Sequence, residues 1–110
     1  MTHAADPGRT QVDRHTNRPL AIATRQLDTE RVVVTEWRFP PGGHTGWHVH
    51  ALDYVIVPMT TGELLIETGA GPLTSQLVTG QTYGRDRGTE HDVINDNPGE
   101  FVFIEIELKP

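Results

Sequence analysis

The sequence predicts an all-β fold: a sandwich, jelly roll or small barrel of about eight short strands. Eleven Gly and eight Pro punctuate the 110-residue chain and fall largely between its apolar runs. Those runs are rich in Val and Ile, whose branched side chains fit a pleated, half-buried surface. No segment repeats its apolar residues at the 3.6-residue period of an amphipathic helix.

Taken in order, residues 1–18 lack periodicity and mix Pro, Gly and both charge signs, the pattern of a flexible N-terminal arm. Residues 19–110 form a single domain. Leu20 to Leu27 is its first strand. Arg31 to Phe39 is the strongest, β-branched and aromatic, and Pro40-Pro41-Gly42-Gly43 ends it abruptly. Trp47 to His50 and Asp53 to Val57 follow. Thr60-Thr61-Gly62 turns the chain into Glu63 to Thr68, and Gly69-Ala70-Gly71-Pro72 turns it again into Leu73 to Thr79. After Gly80, a loop holding Arg85, Asp86, Arg87 and Gly88 leads into His91 to Asn95. The hairpin at Asp96-Asn97-Pro98-Gly99 returns the chain as Phe101 to Leu108. In that last strand Val102, Ile104, Ile106 and Leu108 share one face, which the aliphatic phase predicts as the core side. Phe101, Phe103, Glu105 and Glu107 share the other, which reads as partly exposed or at a subunit interface.

Size and charge narrow the partners. A chain of this length supplies one core and one domain. Its net charge of −6 speaks against nucleic acid or an anionic membrane surface. No stretch approaches the ~20 apolar residues of a membrane helix, and the polar segment from Met1 to Thr16 lacks the apolar region of a secretory signal. The expectation is a soluble, cytoplasmic protein. With no cysteine, disulfides, thiolate ligands and cysteine nucleophiles are all removed.

The chemistry lies in the histidines. His48 and His50 stand two apart on strand-like sequence, so both side chains project from one face. His91 follows 41 residues after His50, in the frame Gly80-x5-Asp86-x-Gly88-x2-His91-x3-Asn95. Delivered from another strand, it completes a claw of three imidazoles. Such a claw suits one divalent transition metal (Fe, Zn, Ni, Co, Mn or Cu) and suits calcium or magnesium poorly.

These frames resemble the two motifs of the cupin family. The first, Gly-x5-His-x-His-x3 or x4-Glu-x6-Gly, is matched by Gly42, His48, His50 and Gly62. The second, Gly-x5-Pro-x-Gly-x2-His-x3-Asn, is matched by Gly80, Gly88, His91 and Asn95. The match spans residues 42–95, about half the chain. It implies a small double-stranded β-barrel of cupin or jelly-roll type, with one divalent metal inside and a cytoplasmic homodimer. More narrowly, Val34 to Gly42 followed by Asp53-Tyr54-Val55 resembles small bacterial single-domain cupins linked by name to β-alanine degradation. That name establishes no reaction.

Two departures matter. Asp86 replaces the proline of the second motif, and the glutamate of the first, a fourth metal ligand in the family, is missing. A continuous strand aims Tyr54 to the side of the histidines, whereas a one-residue bulge aims Asp53 and Val55 there. The favoured reading is a three-histidine centre of His48, His50 and His91. Three neutral imidazoles leave the full 2+ charge on the metal, which favours an anionic chelating ligand. An inward Tyr54 offers its phenol to that ligand as a substrate-binding group.

The remaining candidates read more plainly. His44 is an exposed loop residue, and His3 and His15 belong to the arm. Trp37 and Trp47 pack in the core. Arg85 and Arg87 are surface charges, Glu90 is a solvated carboxylate, and Asn95 holds loop backbone. The functional expectation is a metal-dependent enzyme, of dioxygenase, lyase or isomerase type, acting on a small anionic organic molecule. The alternatives are a non-catalytic metal-assisted binding or sensing module and a purely structural barrel.

Overall fold

A computed structural model describes residues 11–110, and there the chain runs through eleven strands with no helix. They are β1 (Gln11–Val12), β2 (Pro19–Leu20), β3 (Ile22–Asp28), β4 (Val32–Phe39), β5 (His48–Val49), β6 (Asp53–Pro58), β7 (Gly62–Thr68), β8 (Gly71–Leu77), β9 (Tyr83–Arg85), β10 (Glu90–Ile94) and β11 (Phe101–Leu108). A five-stranded sheet runs in the order β3-β4-β11-β6-β9 and a four-stranded sheet in the order β5-β10-β7-β8. All their pairings are antiparallel. Late strands lie between early ones: β11 between β4 and β6, and β10 between β5 and β7. This is the interleaving of a jelly roll.

The two sheets share one core. Phe39, Ile56, Phe101 and Phe103 from the larger sheet meet Leu64, Leu77 and Val93 from the smaller. Fully burying side chains such as Phe39, Phe101 and Leu64 stabilises the fold by about 1.5–3 kcal/mol each.

The structure reverses the expected polarity of β11. Phe101 and Phe103 are buried, whereas Val102, Ile104 and Ile106 are only half-buried. The register explains it: Phe101 pairs with Phe39, and Phe103 pairs with Trp37 on one side and Pro58 on the other. Side chains from the two inner faces interdigitate across the roughly 10 Å between stacked sheets, and the aromatic phase of β11 is the one that meets this core. The Phe39 and Phe103 rings lie 5.3 Å apart between centroids. Ile104 and Ile106 instead face outward beside Val34, Val55 and Val57.

Three other differences are local. Tyr83–Arg85, expected as loop, forms the edge strand β9 against β6. Residues 11–18, expected in the arm, supply β1 and the turn of a hairpin that closes on β2, with Gln11 paired to Leu20. The rest of the expected arm, residues 1–10 with His3, lies outside the described residues. His44, expected to be exposed, is only 2% exposed.

Candidate metal centre

The claw is assembled by pairing β5 with β10. His48 and His91 are direct cross-strand partners, and His50 lies two residues beyond His48. The segment before β10 clasps His50 from both sides. Gly88 N–H donates to His50 O at 2.7 Å, and His50 N–H donates to Thr89 O at 2.9 Å. Gly88 adopts a φ of +86°, a conformation that strains any residue with a Cβ. Thr89 N–H and Oγ1–H both donate to Asp86 O, so the turn closes without the motif proline.

The three Nε2 atoms converge. His48 and His50 Nε2 are 3.0 Å apart, His50 and His91 Nε2 are 3.2 Å apart, and the set lies within 4.8 Å. His48 Nδ1–H donates to Gly46 O at 2.9 Å. A carbonyl only accepts, so the ring proton sits on Nδ1 and the Nε2 lone pair faces the claw. Burial, reinforced by the neighbouring imidazoles, lowers His50 and His91 to about 4. Both rings are therefore neutral at neutral pH, as metal ligands must be. The donor set fits a divalent transition metal.

The claw opens into a cavity of about 620 Å³ between the sheets. Tyr54 lines it and stacks on His50, with ring centroids 3.8 Å apart and planes 18° apart. Burial pushes its phenol up to about 12, so it stays a neutral donor. Asp53 points away. It is exposed and its Oδ1 accepts the Arg87 N–H at 2.7 Å. No bulge interrupts the pairing of β6 with β11, so neither Asp53 nor Val55 turns toward the histidines.

Glu105 is the feature the sequence reading misplaced. It is 8% exposed and faces the cavity, with Oε2 lying 4.0 Å from His50 Nδ1. Burial, and then the charge of Glu107, raise it to about 7. Period-two alternation places it on the inner face once the aromatic phase of β11 is known to be the inner one. His44 carried no comparable signal. Its Nδ1 lies 2.9 Å from Asp92 Oδ2 and its Nε2 lies 2.8 Å from Asp13 Oδ2, partners far away in sequence. Asp92 Oδ1 also accepts the Gly46 N–H at 3.0 Å, tying the loop before His48 to the strand of His91.

The other candidates fall as follows. Trp37 packs against the core and lines the cavity, but Trp47 is half-exposed and donates its indole N–H to Glu90 Oε1. Arg85 lines the cavity over the Tyr83 ring, 4.7 Å from its centroid, while Arg87 is exposed. Asn95 is fully buried. Its amide donates to the carbonyls of Phe39, Pro40 and Gly99.

Comparison with known proteins agrees with this architecture. No family model matches the chain. The "Beta-alanine degradation protein BauB" of Pseudomonas aeruginosa is 53% identical over 92 residues, 84% of this chain and 97% of the relative. A crystal structure of a cupin domain from Bordetella pertussis Tohama I is 64% identical, with a TM-score of 0.84, covering 84% of this chain and 97% of that one. The chain is a cupin. A Klebsiella pneumoniae protein with a double-stranded β-helix domain, at 24% identity and a TM-score of 0.68, covers 88% of this cupin and 82% of its own chain, and shows the fold alone.

Proposed function

We propose that this cupin is a metal-dependent enzyme acting on a small anionic organic molecule, with His48, His50 and His91 holding one divalent transition metal. One observation carries the reading: three imidazole nitrogens converge within 4.8 Å beside a cavity between the sheets. Bound there, the metal supplies Lewis acidity or an open coordination position for dioxygen, the chemistry of a lyase, isomerase or dioxygenase. The chain's own residues do the rest. His48 Nδ1–H, held by Gly46 O, fixes one ring, and the Tyr54 face fixes another. Tyr54 offers a neutral phenol donor to an anion in the cavity. Trp37 and Ile56 line the wall with apolar surface. The name of the Pseudomonas relative supports a small carboxylate as ligand.

We place this protein in the cytoplasm as a homodimer. The support for the dimer is the outer face of the larger sheet, where Val34, Val55, Val57, Ile104 and Ile106 form an apolar surface.

Elemental mass spectrometry on protein purified without added metal tests the centre, with His91→Ala as control. About one metal per chain, lost in the variant, supports it. Iron directs assays to oxygen uptake, and zinc or nickel to lyase or hydrolytic turnover. No metal in either protein, with no uptake on reloading, rejects the enzyme. Metal with ligand-induced stabilisation and no product assigns the non-catalytic binding or sensing role instead.

A further inference from the structure

The cavity carries groups that the metal reading leaves unused. Glu105 and Glu107 stand two apart on β11, and both face the cavity. Among the described residues, neither carboxylate pairs with a Lys or Arg, and the basic atom facing Glu105 is His50 Nδ1 at 4.0 Å, beyond hydrogen-bonding reach. The Trp37 indole N–H is buried without a hydrogen-bond partner, and its nearness to Glu105 lowers that carboxyl against the larger effect of burial. A carboxylate that is more than nine-tenths buried and open to a cavity is costly without a partner. A group entering the cavity would supply one.

The walls say what kind of group that is. Trp37, Tyr54 and Tyr83 line the same cavity as the two carboxylates. Aromatic faces beside carboxylates recognise a cationic nitrogen: the acids accept its N–H bonds and the rings attract its charge. Arg85, the cation on this wall, is exposed and sits over the Tyr83 ring rather than on either acid.

We propose that Glu105 and Glu107, beside Trp37, form a second subsite that binds a cationic amine. The ligand is then a short chain with a carboxylate for the histidine centre at one end and an amine at the other. This assignment builds on the metal reading above and narrows its ligand from an anion to a zwitterion.

Calorimetric titration of the zinc-loaded full chain tests it. The probes are 3-aminopropanoate, 4-aminobutanoate and 5-aminopentanoate, set against the unsubstituted acids and the dicarboxylates of matched length. The expected result is that, at one chain length, the amine binds at least about tenfold more tightly than both counterparts. Glu107→Gln and Glu105→Gln should each erase that preference. Zinc content measured on the same samples shows whether a variant has lost the subsite or the centre. If Glu105→Gln loses zinc through its closeness to His50, Glu107→Gln decides. Plain acids or dicarboxylates binding as well as the amines overturn the subsite and leave the metal centre standing. Carboxylates that bind equally with and without zinc, or none that bind, overturn the metal reading together with this one.

Discussion

Asn95 shows how much one buried polar side chain holds in this barrel. Its amide donates to the carbonyls of Phe39, Pro40 and Gly99, while its Oδ1 accepts the Asn97 N–H. Asn95→Ala strands those carbonyls without a donor and should cost about 3 kcal/mol. The check is a lower urea midpoint at unchanged slope. Titration of the metal-free protein gives a second expectation. His50 and His91 fall from 6.5 to about 4 on folding. Their stability is complete above pH 6.5 and is lost as pH falls toward 4, because only the unfolded state takes up protons in that window. Glu105 runs the other way, raised from 4.5 to about 7, so its stability is complete below pH 4.5 and is lost as pH rises through 7. Two histidines outweigh one glutamate. Thermal midpoints in chelator should climb from pH 4 to 6.5 and ease slightly by pH 7. A flat or inverted profile would contradict the burial described for these three groups.

At the scale of the element, β11 is the strand on which sequence and structure part. Phe101→Ala should cost about 3–5 kcal/mol, because it opens a void between the sheets. Ile106→Ala, on the outer face, should cost under about 1.5 kcal/mol in a monomer. Comparing the two unfolding curves shows which face is inner. Alternation is symmetric, so it divides a strand into two faces without naming the buried one. Here both faces are apolar at their start, and two glutamates on the aromatic face pointed the reading outward. Those glutamates belong to the cavity wall, where the rule that charge faces water is suspended. His44 was hidden for another reason: its partners Asp13 and Asp92 lie 31 and 48 residues away. The three-histidine cluster was legible because its constraint is local. Period-two spacing orients His48 and His50, and glycines at fixed offsets mark the backbone turns that bring His91 opposite.

For the molecule as a whole, the outer aliphatic face and the split origin of the claw each have a consequence. If the outer face joins two copies, Ile106→Glu should turn a dimer into a monomer in light scattering while leaving the strand content by circular dichroism unchanged. A protein that is monomeric before the substitution removes the dimer. The claw joins β5, a strand of two residues, to β10, and His91 follows His50 by 41 positions. Closing a loop of that length precedes any contact between them, so the claw is expected to form after the local β3–β4 and β7–β8 pairings. Metal ions therefore have little to hold in the transition state. In stopped-flow experiments, zinc should leave the refolding limb almost unmoved and slow the unfolding limb by nearly the whole stabilisation it confers. The ion acts as a latch thrown after the door has shut.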